Sequence, residues 1–257
     1  MVRLSVNVNK VATLRNSRTA QPADAMRSVG SPSVVEAARV AVEAGAPGIT
    51  VHPRADARHV TYADVRELAA LLAPWRDRVE YNIEGDPRPD LIELVAEVKP
   101  HQLTLVPVLP GEITSQAGWP PDTPHDELRS IIARMHQAGV RVSLFVDPEP
   151  EPIEWAAALG ADRVELFTEP YAQAWAQSPE AGRESFERYV SAARLAHARG
   201  LGINAGHDLD LENLVLFREL PHLDEVSIGH ALIGRALFDG LAPTVQAYLE
   251  TLSFTVC

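Results

Sequence analysis

The stretch QAGVRVSLF, Gln137–Phe145, decides the fold. A helical pattern stops at Gly139, which takes the left-handed conformation at a helix C-terminus at little cost. A run rich in apolar and β-branched residues follows at once, as a strand requires. The same junction recurs in EAGAPGITV (Glu43–Val51), ALGADRVEL (Ala158–Leu166) and ARGLGINA (Ala198–Ala205). Each is a helix handing over to a strand through one glycine.

Working outward from these junctions, the chain offers strands LSVNV from Leu4, GITVH from Gly48, VEYNIE from Val79 and QLTLVPV from Gln102. The remainder are RVSLFVD from Arg141, RVELFT from Arg163, LGINAGH from Leu201 and EVSIGH from Glu225. Many read as near-continuous apolar runs, the pattern of parallel strands covered by helices. Between them lie helix starts. Ser31-Pro32 predicts an N-cap with proline at the first helical position, ahead of Val35, Ala38 and Val42. Thr61 and Asp64 predict a capping box before Val65, Leu68 and Leu72. Thr123-Pro124 opens a further helix carrying Leu128, Ile131 and Met135.

Eight strand–helix units in 257 residues predict one domain over residues 1–257, an α/β fold of the (β/α)₈ TIM-barrel type. A doubly wound open sheet is the alternative. It favours a glycine-rich turn after its first strand, and VNVNKVATLRNSR, Val6–Arg18, has no glycine.

Composition narrows the function classes. An apolar share of 46% and a charged share of 23% suit a globular chain. A net charge of −12 argues against nucleic acid or an anionic membrane as partner. The one cysteine, Cys257, permits no intrachain disulfide, which fits a reducing cytoplasm, and no run is long enough to span a membrane.

In such barrels chemistry sits at the C-terminal ends of the strands. Strand one leads to Asn7, Asn9 and Lys10, with Arg15 and Arg18 behind; strand two to His52, Arg54 and His59. Strand three ends with Glu84, strand four leads to Glu112 and Thr114, and strand six ends with Glu165, Thr168 and Glu169. Strand seven ends with His207 and Asp208, and strand eight with His230. His101, His125, His136, His197 and His222 fall on helices or connections and read as structural or surface residues. Small residues in NAGHDL and SIGHALIGRAL let backbone N–H groups approach a ligand, a common phosphate site after strands seven and eight. Arg54 and His59, with Lys10, suggest a second anion site. Two anion sites facing titratable groups suit the joining of two phosphorylated small molecules.

The ordered segments VNVNKVATLRNSR, GITVHPRADARHVT, YNIEG, KPHQLTLVP, RVSLFVDP, NAGHDL and SIGHALIGRAL resemble the pyridoxine 5′-phosphate synthase family over nearly the whole chain. The resemblance implies a (β/α)₈ barrel with added helices, assembled as a homo-octamer and needing no metal or organic cofactor. It implies the joining of 1-deoxy-D-xylulose 5-phosphate to 3-amino-2-oxopropyl phosphate. Pyridoxine 5′-phosphate, inorganic phosphate and water are the products. By resemblance His52 and Glu84 are acid/base residues and His207 a proton donor. Asn7, Arg18, Gly229 and His230 match contacts to the amino-ketone phosphate; Arg54, His59 and Thr114 match contacts to the pentulose phosphate.

Some positions depart from the family's better-known form. Asn9 and Lys10 stand for aspartate and histidine, Asp208 and Glu169 for glycine, and Val108 and Pro110 for charged residues. The exchanges in VNVNK, TEPYA and NAGHDL resemble one branch of the family, and as a matched set imply rearranged substrate contacts around Asn9, Lys10 and Asp208. Two other functions would use the same mouth. A metal-dependent hydrolase or isomerase would ligate through His52, His207, His230 and Glu84, although HxH and HExxH spacings are absent. A non-catalytic barrel would bind phosphometabolites without turnover.

Overall fold

A computed structural model describes residues 1–17, 30–107 and 117–253. Arg18, Glu112, Thr114, Val108, Pro110 and Cys257 lie outside the described residues. The strands are β1 (Arg3–Asn7), β2 (Gly48–Val51), β3 (Glu80–Gly85) and β4 (Gln102–Leu105). They continue with β5 (Arg141–Val146), β6 (Arg163–Leu166), β7 (Gly202–Gly206) and β8 (Leu223–Ile228). All pair in parallel with their sequence neighbours, and β8 closes on β1. The ring is the expected barrel.

The helices are α1 (Asn9–Asn16), α2 (Val34–Glu43), α3 (Tyr62–Leu72), α4 (Pro89–Val98), α5 (His125–Gln137) and α6 (Pro150–Leu159). There follow α7 (Glu169–Gln177), α8 (Pro179–Ala198), α9 (Leu214–Phe217), α10 (His230–Asp239) and α11 (Leu241–Ser253). Among the described residues the extra helices are one of the pair α1/α2 between β1 and β2, one of the pair α7/α8 between β6 and β7, and α11 after α10. The glycines of the four helix–strand junctions, Gly45, Gly139, Gly160 and Gly200, all have positive φ.

Two helix starts differ from expectation. Helix α2 begins after Ser33, whose hydroxyl accepts from Glu36 N–H at 3.1 Å, not after Ser31. That phase buries Val34, Ala37, Ala38 and Ala41 and leaves Val35 and Val42 partly covered. Helix α5 begins at His125 with Pro124 at the cap and no side-chain bond, and it buries Ile132 in place of Ile131. The Thr61/Asp64 capping box is present.

The strand pattern also needs correction. One set of alternate residues, including Leu4, Val6, Ile49, Ile83, Leu103 and Leu144, is fully buried in the main apolar core. The other set faces the barrel axis and is largely polar: Ser5, Thr50, Asn82, Thr104, Ser143 and Asn204. Their side chains bond to one another across strands. Ser5 and Thr50 hydroxyls lie 2.6 Å apart, and Thr104 Oγ1 donates to Asn82 Oδ1 at 3.1 Å. The runs read as apolar because threonine, serine and asparagine alternate with strongly hydrophobic outward residues.

Candidate active site

At the C-terminal end of the barrel lies a cavity of about 270 Å³. Every strand, or the loop or helix start that follows it, contributes a lining residue. Asn7, Asn9, Lys10, His52, Arg54, His59, Glu84, His207, Asp208, Gly229 and His230 all line it, as expected from their strand-end positions. Glu165, Glu169, Val106, Phe145 and Ser227 complete the wall. Glu165 and Glu169 stood at the right strand end in the sequence. Val106, Phe145 and Ser227 looked like ordinary strand residues and gave no chemical signal.

Near the centre, His52 Nδ1 lies 3.8 Å from Glu84 Oε2. His52 follows β2 and Glu84 lies on β3, so strand pairing fixes their spacing. Asn7 Nδ2 donates to Glu84 Oε2 at 3.4 Å. Asn7 Oδ1 accepts from Asn9 N–H at 3.1 Å, and Asn9 Oδ1 accepts from His52 N–H at 2.8 Å. This explains one departure from the family form. The bond needs only an acceptor oxygen at position 9, which asparagine provides as aspartate would.

Burial dominates the electrostatics. It holds His52 well below the usual imidazole range, reinforced by the charges of Arg54, His59, His207 and Arg88. Burial, with Lys10 and Arg54 next, brings His59 down to about 4. Burial and then Lys10 bring His207 to about 4. Lys10 therefore acts on both histidines. Burial pushes Glu84 well above the carboxylate range, with Glu165 adding to it and the bond from Asn7 opposing. Burial also raises Glu165 to about 7. Burial and then Glu169 raise Asp208 to about 6. Burial thus disfavours the charged forms of His52, His59, His207 and Glu84 alike.

The β2 loop carrying Arg54 and His59 is clasped from α1. Asn16 Nδ2 donates to the carbonyls of Ala57, Arg58 and His59 at 3.3, 3.2 and 2.8 Å. Asn16 Oδ1 accepts from Arg15 Nε at 3.0 Å, and the Arg15 guanidinium grips Asp64 with two bonds of 2.6 and 2.9 Å. Ala57 has φ +53°, a left-handed conformation that alanine adopts at a cost. Arg15 is accordingly a buried structural residue and does not line the cavity.

On the far side, NAGHDL turns sharply after β7. A Cβ on Gly206 would lie 2.2 Å from Ser227 O, so β7 approaches β8 this closely only with glycine there. His207 has φ +63°. Gly229 caps the ten-residue α10, whose first N–H groups have no helical partner and face an end favourable to anions. His101 accepts from Tyr81 N–H, His136 bonds Asp162, and His197 stacks on His222 with ring centroids 3.6 Å apart, all away from the cavity.

Residues 4–253 match the family described as pyridoxal phosphate biosynthesis protein PdxJ. The chain belongs to the PdxJ family. It is 50% identical over 253 residues to pyridoxine 5′-phosphate synthase of Bacteroides thetaiotaomicron, covering 98% of this chain and 100% of that one. The Leptospira biflexa enzyme of the same name is 46% identical over 264 residues, covering 98% of each. Structural likeness extends to other barrels at the level of fold. Phosphoribosyl anthranilate isomerase of Thermotoga maritima aligns with a TM-score of 0.61 and 16% identity, over 98% of each chain. A tryptophan synthase chain from M. tuberculosis gives 0.62 and 14%, over 99% of this chain and 93% of that one. As a PdxJ-family member the chain is an enzyme of pyridoxine 5′-phosphate synthesis.

Proposed function

We propose that this cavity joins 1-deoxy-D-xylulose 5-phosphate to 3-amino-2-oxopropyl phosphate, with His52, Glu84 and His207 as its proton carriers. One observation carries the reading. His52 and Glu84 lie 3.8 Å apart, and each keeps a buried atom without a hydrogen-bond partner among the described residues, Nε2 and Oε1, at the cavity wall.

Condensing an amine with a ketone, losing water, eliminating phosphate and closing an aromatic ring need repeated proton transfers. An unprotonated His52 accepts a proton at Nε2, while the protonated Glu84 carboxyl donates one. Well-placed general acid–base groups are worth roughly 10²–10⁴-fold each. Arg54 and His59, with Lys10, hold the pentulose phosphate; Asn7, Gly229 and His230, at the start of α10, hold the amino-ketone phosphate. Arg18 and Thr114 are assigned to the same two sites by resemblance. Phosphate dianions offset the charge of Lys10 and Arg54, so substrate binding raises His59 and His207 from about 4 toward neutrality. His207 then becomes able to donate a proton once the substrates are seated. Holding both substrates together contributes up to about 7–11 kcal/mol of barrier lowering.

Among the described residues, no group of three or more His, Cys, Asp or Glu is arranged to hold a metal ion, so the donor geometry does not favour the hydrolase or isomerase reading. No helix there is long and apolar enough to cross a membrane. We place the enzyme in the cytoplasm on its cysteine usage, and read it as one catalytic barrel domain assembling as a homo-octamer on family resemblance. The test is direct. Purified, EDTA-treated protein given both phosphates releases inorganic phosphate and forms pyridoxine 5′-phosphate; absence of both products sinks the proposal.

A further inference from the structure

Charge is distributed unevenly around the cavity. Cations come from the segments after β1 and β2, namely Lys10 at the start of α1 and Arg54, with the His59 imidazole beside them. In the eight-stranded ring β5 lies opposite β1, and there the wall is Val106, just after β4, and Phe145 of β5. Phe167, just after β6, backs them. These three buried side chains form an apolar cluster separate from the main core. Phe145 meets Phe167 edge-on with centroids 5.5 Å apart, and its ring lies 6.3 Å from that of His207. Backbone bonds fix the wall. Val106 N–H donates to Gly85 O at 3.0 Å, Phe167 N–H to Val146 O at 2.9 Å, and Trp119 N–H to Phe145 O at 2.9 Å.

The other inward positions around the cavity carry polar groups or glycine: Asn7, His52, Glu84, Gly206, Gly229 and Glu165, the last in register with Phe145. Helix packing does not account for an apolar arc there, because these side chains point into the barrel and adjoin an open cavity.

We propose that Val106 and Phe145, backed by Phe167, form the subsite for the methyl group of the 1-deoxy ketose phosphate, and so set the preference for a 1-deoxy over a 1-hydroxy sugar. The inference rests on the cavity reading above, in which Arg54 and His59 hold that substrate's phosphate. Phosphate and methyl are the two ends of a five-carbon chain. Anchoring the phosphate at the β1–β2 arc sends the methyl toward the facing arc. The methyl adjoins the carbonyl carbon, so seating it on Phe145 brings the carbonyl to the side of the cavity that holds His207. A hydroxyl in place of the methyl hydrogen would lose its water partners against three side chains offering no donor or acceptor.

Apolar pockets reject an analogue that adds a hydroxyl by about 10²-fold. The experiment compares 1-deoxy-D-xylulose 5-phosphate with D-xylulose 5-phosphate, by kcat/KM with the amino-ketone and by equilibrium binding without it. Wild type prefers the deoxy sugar by about 10²-fold. Val106→Thr, which keeps the shape and adds a hydroxyl, narrows the ratio to tenfold or less; Phe145→Leu narrows it by a different route. Binding supplies the ratio for any variant too slow to assay. Equal use of both sugars by wild type, or an unchanged ratio in folded Val106→Thr, overturns the inference while leaving the synthase reading intact. If neither sugar binds wild type, the cavity reading fails and this inference with it.

Discussion

The two ends of the barrel interior use the same residue types and treat them oppositely. At the base, Glu80 is paired with both Arg3 and Arg141, Gln102 Oε1 accepts from Arg141 at 3.0 Å, and Asn204 Oδ1 accepts from Arg163 at 2.8 Å. At the mouth, His52 Nε2, His59 Nδ1, Glu84 Oε1 and Glu165 Oε2 are buried with no hydrogen-bond partner among the described residues. A buried polar atom left unmatched costs about 1–3 kcal/mol. The base is therefore built for stability. The mouth holds groups whose partners arrive with the substrates. Glu225 is the base's exception: neither carboxylate oxygen has a hydrogen bond among the described residues, and burial, then Glu80, pushes its carboxyl up to about 8 despite Arg163, Arg3 and Arg141.

That contrast predicts which property each end controls. The largest effects belong to the mouth. His52→Asn, Glu84→Gln and His207→Asn should each lower kcat by roughly 10²–10⁴-fold while leaving the thermal midpoint unchanged or raised. Steady-state kinetics beside a melting curve checks this, and a destabilised but active Glu84→Gln protein would erase the distinction. At the base, Glu80→Ala leaves two guanidinium groups without their carboxylate. It should cost about 3 kcal/mol in urea unfolding with kcat retained in the folded enzyme.

Glu225 sharpens the comparison through pH. Between about 4.5 and 8 the folded chain keeps a proton on Glu225 that the unfolded chain has lost. Its contribution to stability therefore falls as pH rises through that window, by at most about 1.4 kcal/mol per pH unit. Glu225→Gln lacks this slope, so the difference between variant and wild-type unfolding free energies should grow in the variant's favour from pH 5 to pH 8. Parallel curves would show that the arginines hold Glu225 ionised. The smallest effect lies on the clasp behind the mouth. Asn16→Ala frees the carbonyls of Ala57, Arg58 and His59, and should raise KM for the pentulose phosphate about tenfold with little change in kcat. An equal rise for the amino-ketone would mean the clasp supports the whole site.

Much of the site was legible because strand ends are legible. Once Gly45, Gly139, Gly160 and Gly200 mark where helices hand over to strands, the positions of His52, Glu165 and His207 at or just after the following strands are fixed by chain order. Phe145 was not, since an aromatic in RVSLFVD reads as core until the pleat shows it facing the axis. Arg15 misled in the other direction: it follows β1 closely, yet α1 turns it onto Asp64. Ser31 lost the cap of α2 to Ser33 because burial of Val34, Ala37, Ala38 and Ala41 sets the helix phase.

By itself the sequence determined the repeated unit, the closed ring it implies, the strand ends that carry chemistry and the family. These rest on local conformational preference and spacing along the chain, which the residues carry wherever they fold. Tertiary structure alone decided which alternate residues face the axis, that the base is paired while the mouth is not, and that Asn9 serves the His52 backbone. It also set the direction in which burial shifts the titrating groups of the mouth. Those properties depend on what lies across the barrel from each side chain, and burial from water outweighs any preference read along the chain.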